Sequence, residues 1–349
     1  VESIPSNPLL IDSNPGTSFA VNSSGSSLGA VICESGNPDE WFVGGSGGLT
    51  SKGQLDIVNS GLSSATVEVT GYSSKQVLPT ALLSIAANSD RLVSIDSLIP
   101  GDDSIALHVV TRAGRVTTFL FDQRKKGLSS LGLDFVSPQS APGTHLVIPT
   151  LTQSARGKLS TSLRLLVPGQ LDANIKVTIN SGDGAFTPVG FDGRTVKHGV
   201  VIDIPLTDLT SSTPMSVVID SDQPILASAL SVVAGGDFAW STPVAPLTSL
   251  SMNFTGLTSK FLFTGSNIDL SISWTSMAGK RSSAHVSGSD IAFWNPGAAG
   301  MKTVTFTSNS KSPVYGGAIV GGLAYLPLVS GAQLERSTLP VVDVHSLTR

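Results

Sequence analysis

A serine flanked by glycines is the first group in this sequence that could act as a nucleophile. Residues 44–48, GGSGG, match the G-x-S-x-G pattern of a hydrolase nucleophile elbow. That elbow requires a helix directly after the serine, whereas residues 49–53, LTSKG, favour a turn. The S-x-x-K match at residues 308–311 also falls in a predicted turn. We therefore interpret residues 44–48 as a flexible glycine loop and residues 308–311 as a chance match.

The sequence does not have the residue spacing that a metal site or an acid–base pair needs. No two histidines stand at ligand spacing, and Cys33, the single cysteine, excludes a cysteine metal site and an intrachain disulfide. Asp102 and Asp183 lie in glycine-rich turns, where an aspartate commonly bonds its own backbone. The sequence predicts no cofactor, no metal site and no catalytic residue, and hence a protein that is not an enzyme. A glycan hydrolase using paired carboxylates such as these two is an alternative, although nothing in the sequence brings two carboxylates together.

Aromatic side chains are the remaining candidates for a binding site. The chain has four tryptophans, which could stack on sugar rings where exposed, although core packing is the favoured role in an all-β chain. Trp41 and Trp240 follow acidic residues, which makes them the first two to test. The binding candidates lie at these two side chains, on the glycine loop and on a basic turn: Trp41, Gly44, Gly45, Arg112, Arg115 and Trp240.

Composition and charge exclude several classes of protein. The formal charge of −4 argues against a nucleic-acid partner, because phosphates need a basic stripe. Charged residues make up 13% of the chain, about half the usual share, so the surface must consist largely of Ser, Thr, Gly and Asn. Such a surface is common in secreted bacterial β-proteins. The longest apolar run, residues 314–329, contains glycines and Pro327, which favours strands over a membrane span.

The elements that must position these residues are predicted to be strands. Short apolar or alternating runs recur at roughly ten-residue spacing with turn residues between them, the pattern of an all-β sandwich or barrel. Three stretches are predicted to be β-hairpins, because two apolar runs flank a turn signal: residues 105–121, 215–231 and 303–320. Helical periodicity is missing, and residues 80–88, TALLSIAAN, are the best candidate for a single helical turn. The predicted fold class is all-β, built from antiparallel sandwich-like units with almost no helix.

The predicted hairpins mark an internal repeat. The motifs LDIVNSG and ATVEVT (residues 55–61 and 65–70) recur as LRLLVPG and ANIKVT (residues 163–169 and 173–178). We predict a linker or N-terminal arm at 1–18, three β units at 19–140, 141–246 and 247–330, and a C-terminal tail or docking strand at 331–349. The spacing leaves open whether the three units are separate domains or one domain with approximate threefold symmetry.

The order of the motifs resembles a known family. The motifs that carry this resemblance are Cys33 followed by WFVGG (41–45), LDIVNSG, VEVTGY (67–72), RAGRV (112–116), HLVIPTL (145–151), LRLLVPG, VKHGVV (196–201), DSDQPILASA (220–229) and DFAW (237–240). The pattern is similar to an actinobacterial extracytoplasmic family of unknown function, usually preceded by a membrane anchor or signal and typically encoded near a large membrane glycosyltransferase. The resemblance implies a location at the cell surface, with a membrane tether in the full-length protein. It implies no catalytic residue.

These observations predict a non-catalytic accessory protein of the cell envelope that binds a membrane partner during cell-wall assembly. A membrane glycosyltransferase is one candidate for that partner. The alternative is a carbohydrate-binding module for an envelope glycan. Binding that is specific to one unit is expected at the predicted hairpin tips, residues 112–115, 222–224 and 310–313, and at the loop after Trp41.

Overall fold

The described part of the chain is almost entirely β-structure. The computed structural model describes residues 16–330 with gaps at 26, 153–158, 208, 210–213, 234–235, 255–256 and 298–299. Strands hold 64% of the residues and helix 1%, which confirms the all-β prediction. The predicted C-terminal tail and residues 1–15 of the predicted arm lie outside the described residues. In the part that is described, no helix is both long enough and apolar enough to cross a membrane.

The single helical turn among the described residues is α1, Ile95–Leu98. The predicted turn at residues 80–88 is wrong, because this stretch contains a strand, Ala81–Ile85. Leu83 and Ile85 are buried, whereas Leu82 between them is 68% exposed. The period of two places alternate side chains on opposite faces, as a strand requires.

The strands are numbered in chain order: β1 Phe19–Ser24, β2 Ser27–Ile32, β3 Asp39–Val43, β4 Gln54–Asn59, β5 Ala65–Tyr72, β6 Ala81–Ile85, β7 Ser89–Ser94, β8 Ala106–Ala113, β9 Thr117–Lys126, β10 Ser129–Val136, β11 Gly143–Ile148, β12 Leu159–Leu166, β13 Ala173–Ser181, β14 Gly184–Phe186, β15 Asp192–Val196, β16 Val201–Leu206, β17 Met215–Val233, β18 Phe238–Ser241, β19 Ser249–Asn253, β20 Ser259–Ser276, β21 Arg281–Trp294, β22 Met301–Ser308, β23 Tyr315–Val320 and β24 Ala324–Pro327.

The first sandwich consists of two four-stranded antiparallel sheets. One sheet has the strand order β10-β9-β4-β7, and the other has the order β3-β8-β5-β6. Alternate residues of each strand fill the space between the sheets. In β5 these are Ala65, Val67 and Val69, all buried in one hydrophobic cluster. The local sequence ATVEVT therefore determines which face of the strand enters the core.

Strands β11–β18 form the second sandwich and β19–β24 the third, and each contains one long strand whose two halves have different partners. The first half of β17 pairs with β11 and β13, and its second half pairs with β12 and β18. In β20, the first half pairs with β23 and the second half with β22, while β21 runs along both halves. Each long strand thus holds two groups of strands together.

The three predicted hairpins are wrong. β8 pairs with β3 and β5, whereas β9 pairs with β4 and β10, so residues 105–121 pass from one sheet of the first sandwich to the other. Residues 215–231 lie within the single strand β17, and β22 and β23 pair with opposite halves of β20. A hairpin and a crossing between two sheets can show the same local sequence pattern, because the two structures differ only in which strands their own strands pair with.

Side chains cross the boundaries of the predicted units. The hairpin β1–β2 places Ala30 and Ile32 in the hydrophobic cluster of the third sandwich. Phe238 and Trp240 of β18 lie in the core of the first sandwich, although β18 belongs to the sheet of the second. The sandwiches are therefore packed on one another and share core residues.

Candidate binding cleft

A cleft opens where the first and second sandwiches meet. Its volume is ≈ 430 Å³, and the first sandwich contributes three rings to its lining, Trp41, Tyr72 and His108. They belong to β3, β5 and β8, which are neighbours in one sheet. Strand alternation turns Trp41 outward, because Phe42 beside it lies in the core. The three rings consequently share one outer face of the sheet.

The second sandwich closes the cleft with residues from its turns. Pro142 precedes β11, Pro168 follows β12, and Gln223 and Pro224 lie in the middle of β17. Leu171, in the turn before β13, is 64% exposed. This wall is mostly apolar. The cleft therefore joins Trp41 with residues 223–224, two regions that the sequence indicated separately.

Trp41 is held in place by the rings on either side of it. Its ring is stacked on His108, with centroids 3.7 Å apart and planes 9° apart, and it tilts against Tyr72 at 5.6 Å. Nε2 of His108 lies 2.8 Å from Oδ1 of Asp39, which fixes the imidazole. Trp41 is 7% exposed, so only a small part of this ordered ring faces the cleft.

The glycine loop after Trp41 is closely packed. Residues 44–48 are all buried, so the expected flexible loop is wrong. A Cβ atom on Gly44 would lie 2.7 Å from a valine side chain, and Gly45 has a φ of +82°, which other residues rarely adopt. The Ser46 hydroxyl donates a 2.7 Å hydrogen bond to Oδ1 of Asp103. Ser46 therefore holds the loop together and is shielded from any substrate.

Trp240 does not line the cleft; it is buried in the junction between the first two sandwiches. It is 1% exposed, its Nε1–H donates to Asp122 at 3.0 Å, and its backbone N–H donates to Asp134 at 2.6 Å. Burial raises the pKa of Asp134 well above its ordinary range. The guanidinium carbons of Arg164 and Arg124 lie 4.8 and 5.9 Å from its ring centroid. Trp240 is a core residue, and its ring is closed to a ligand.

Arg164 is the most highly bonded side chain of this junction, and it is 2% exposed. Its Nε and Nη2 groups donate to the two oxygens of Asp203, each at 2.7 Å. Nη1 donates to the carbonyls of Gly45 at 2.6 Å and Ile105 at 3.2 Å, and Nη2 to that of Asp103 at 2.8 Å. All five N–H groups are thus used. Burial raises the pKa of Asp203, but the hydrogen bonds and charge of Arg164 bring it below the ordinary value.

The basic turn predicted as a binding candidate lies on the surface and does not line the cleft. Arg112 is 58% exposed, and its Nη2 lies 2.6 Å from Oε2 of Glu68. Arg115 is also exposed. Neither arginine lines the cleft, so the structure does not bring this turn together with Trp41.

Each histidine whose position is described has an aspartate partner. The distances between ring nitrogen and carboxylate oxygen are 2.8 Å for His108–Asp39, 2.7 Å for His145–Asp220, 2.6 Å for His198–Asp172 and 3.8 Å for His285–Asp269. Within residues 16–330, gaps aside, no group of three or more His, Cys, Asp or Glu residues could hold a metal ion. Asp102 accepts a 2.9 Å hydrogen bond from the backbone N–H of Ser104, the turn bonding that its sequence position predicts.

Two glutamates form an acidic pair that sequence reasoning missed. Burial, with the charge of Glu40 as a smaller cause, raises the pKa of Glu34 to about 7. Burial also raises the pKa of Glu40 to about 7, against the hydrogen bonds that it accepts from the Thr118 hydroxyl and the Asn37 N–H. Neither carboxyl lines the cleft. Their proximity cannot be predicted from their spacing in the sequence, because it depends on the path of the loop between β2 and β3.

The Glu40→Gln variant is expected to be more stable than the wild type at pH 8 and about equally stable at pH 4. The folded-state pKa of Glu40 lies above its ordinary value of 4.5. The contribution of this carboxyl to the free energy of unfolding is therefore fully present below that value and is lost as the pH rises through about 7. The cost of ionising the buried carboxyl is about 3 kcal/mol, and glutamine avoids it. Urea unfolding at both pH values measures the difference. Glu68→Gln is the control, because Glu68 is a partly exposed surface glutamate. An equal loss of stability at both pH values in Glu40→Gln would contradict the raised pKa of Glu40.

The comparison with known families finds a match over most of the chain. A model described as "Family of unknown function (DUF5719)" matches residues 16–289. The chain belongs to this family. The match agrees with the predicted resemblance to a family of unknown function, and the DUF5719 region contains every residue that lines the cleft. No curated protein and no solved structure matches the chain.

Within the DUF5719 region, sequence reasoning missed several residues of the cleft. Tyr72, His108, Pro142 and Pro168 carry no local signal, because only the packing of two sandwiches brings them together. Leu171 does carry a signal: it is an apolar residue in the turn GQLDA, where a polar residue is expected. An exposed leucine in a turn beside a proline could have directed attention to this edge.

Proposed function

We propose that this protein is a non-catalytic accessory protein of the cell envelope that binds a membrane protein through the cleft at Trp41. In this proposal the chain acts outside the cytoplasm, is tethered to the membrane in its full-length form, and takes part in cell-wall assembly. A membrane glycosyltransferase is the candidate partner. The resemblance to an extracytoplasmic family supports the location and the kind of partner.

The cleft is the observation that carries the proposal. It places Trp41, Tyr72 and the 64%-exposed Leu171 at one site, together with three prolines. Ordered aromatic rings beside an exposed aliphatic side chain are typical of the centre of a protein interface. Its lining includes no carboxylate and no cysteine, which favours binding over hydrolysis. The acidic pair Glu34 and Glu40 lies elsewhere.

A glycan-binding role is the second candidate, and the position of Trp41 in the cleft favours it. Tryptophan rings stack on sugars, and the cleft has room for a few sugar rings. Trp240 supports neither role, because it is buried. A titration with envelope polysaccharide separates the two candidates: glycan binding that depends on Trp41 would favour a carbohydrate-binding module.

We expect the Leu171→Lys variant to lose a membrane partner that the wild type retains. The substitution removes an apolar contact from the cleft and adds a charge, while leaving the fold intact, because Leu171 is 64% exposed. Full-length, membrane-tethered protein would be cross-linked in native membranes and recovered, and the partner identified and then purified for a binding measurement. The affinity of the purified partner is expected to fall about tenfold or more.

Leu128→Lys is the matched control, because Leu128 is fully exposed in the turn between β9 and β10 and does not line the cleft. This variant should retain the partner with unchanged affinity. Equal retention by the wild type and both variants would show that the cleft is not the binding site. The proposal would also fail if the purified chain hydrolysed an envelope glycan and a single carboxylate substitution abolished that activity.

A further inference from the structure

Two aspartates lie side by side in the interior of the protein, one on β9 and one on β10. Asp122 and Asp134 are paired directly across these strands, and each is 0% exposed. Side chains that are directly opposite on antiparallel strands point to the same face of the sheet, with their Cβ atoms about 5 Å apart. Two ionised carboxylates at this spacing repel each other strongly where water is excluded.

Only one of these two carboxyls is paired with a cation. Nη2 and Nε of Arg124 donate to Oδ2 of Asp122 at 2.8 and 3.2 Å, and the indole N–H of Trp240 donates to the same oxygen at 3.0 Å. Asp134 accepts the backbone N–H of Trp240 at Oδ2. No group of the described chain donates to Oδ1 of Asp134, which is closed to solvent. The negative charge of an ionised Asp134 would therefore be uncompensated.

The other charged groups around Asp134 do not supply the missing cation. Burial is the main cause that raises its pKa well above the ordinary range, and the charges of Asp122 and Asp237 add to it, against the backbone N–H groups of Trp240 and Phe135. Asp237 directly precedes β18. The hairpin β1–β2, which also packs on β10, contains no titratable residue in either strand. Three carboxyls thus share one guanidinium, because Arg124 is the cation of this group.

Strand β2 covers the unpaired oxygen. A Cβ atom on Gly29 would lie 3.0 Å from Cα of Asp134 and 3.2 Å from its Oδ1, so the absence of a side chain lets the two strands approach this closely. Burial raises the pKa of Asp237, and a hydrogen bond from Ser27 of β2 partly offsets it. Because Ile32 at the end of β2 lies in the core of the third sandwich, this strand connects the first sandwich to the third.

We propose that Asp122 and Asp134 hold one proton between them in the folded protein, and that its release to water loosens β2 from β10. Asp134 carries this proton, because the guanidinium of Arg124 keeps Asp122 ionised. Once ionised, Asp134 needs donors that the folded chain does not provide, and water reaches it only when β2 moves away. Protonation and docking of β2 therefore favour each other. This pH-dependent connection between two sandwiches is separate from the cleft at Trp41.

Hydrogen exchange of the β2 amides tests the inference. The folded-state pKa of Asp134 lies above its ordinary value of 3.8. The contribution of this carboxyl to docking is therefore full below that value and is lost as the pH rises through the folded-state pKa. After correction for the intrinsic exchange rate, the opening constant of the β2 amides should rise by up to about tenfold per pH unit between pH 6 and 9. The amides of β13, in the second sandwich, serve as the internal reference and should show no such rise.

Asp134→Asn keeps the shape of the side chain but stays neutral at every pH, so its β2 exchange should no longer depend on pH. Asp192→Asn is the matched control, because the side chain of Asp192 is 78% exposed, and it should behave like the wild type. Asp122→Asn leaves the guanidinium of Arg124 without its carboxylate, which favours ionisation of Asp134. In this variant the pH dependence of β2 exchange should be weaker and level off at a lower pH.

The carboxyl ¹³C resonance of Asp134, assigned through its backbone, reports the proton directly and needs no variant. At pH 7 it should have the chemical shift of a protonated carboxyl, whereas exposed aspartates such as Asp192 are ionised. An ionised Asp134 at pH 7 would overturn the inference. So would β2 exchange that does not change between pH 6 and 9 in the wild type, or that changes equally in the wild type and Asp134→Asn.

Discussion

Replacing Arg164 with methionine is expected to destabilise the protein by about 4 kcal/mol, because removing one partner of a buried ion pair leaves the other charge uncompensated. Methionine retains much of the length of the side chain but none of its five N–H donors. Asp203 would lose its paired guanidinium, and the carbonyls of Gly45, Ile105 and Asp103 would lose their donors. Urea unfolding at pH 7 measures the change in the free energy of unfolding.

The effect of this substitution should depend on pH. Because the folded-state pKa of Asp203 lies below the ordinary value of 3.8, its contribution is present above that value and is lost as the pH falls through the folded-state pKa. The difference between the wild type and Arg164→Met is therefore expected to narrow in acid. Arg112→Met removes an exposed arginine of the same kind and should cost less than about 1 kcal/mol. Equal losses in the two variants would contradict the structural role of Arg164.

Replacing Trp240 with alanine is expected to cost about 4 kcal/mol or more. The change opens a cavity in the core of the first sandwich and removes one of the hydrogen-bond donors to Asp122, whose other donor is Arg124. It also removes the ring that packs against the guanidinium of Arg164. Since Trp240 belongs to the second sandwich by sequence and pairing, its loss should destabilise both sandwiches together. Hydrogen exchange of the backbone amides of β4 and β9 reports on the first sandwich.

Trp274→Ala is the control for this experiment. Trp274 is partly buried against the cluster of the third sandwich and lies 5.0 Å from the ring of Trp294. Its replacement should leave exchange in β4 and β9 almost unchanged. If Trp240→Ala accelerated exchange only in the second sandwich, the core of the first sandwich would not depend on Trp240. The shared junction would then contribute little to the stability of the first sandwich.

Much of the fold follows from short-range sequence pattern. Runs such as ATVEVT and ANIKVT alternate in hydrophobicity, and each forms a strand with one face in a core. The pairing of the strands does not follow from that pattern. In residues 105–121, two apolar runs around Gly114 suit a hairpin and a crossing between sheets equally well. Partner choice depends on distant strands, and a single stretch contains no information about them.

Only some residues of the candidate site could be predicted from the sequence. Trp41 and residues 222–224 each stood out by composition, and both lie at the cleft. Gly44, Gly45 and Trp240 stood out for the same reasons, yet they serve the buried junction. A glycine that permits close packing and a glycine in a flexible loop look alike in sequence. What distinguishes them is Arg164 of another sandwich, which donates a hydrogen bond to the carbonyl of Gly45 in the loop.

The docking of β1 and β2 on the third sandwich has a consequence for folding. Thr17 donates a 2.7 Å hydrogen bond to the carbonyl of Ser251, and Ile32 packs in the same cluster as Leu326. During synthesis, the apolar face of this hairpin has no surface to cover it until the third sandwich has emerged from the ribosome. Contacts so far apart in sequence also form slowly, since the loop entropy must be lost first. Strands β1 and β2 are therefore made well before the surface that covers them, and we expect them to reach their final place late and to be exposed to aggregation until then.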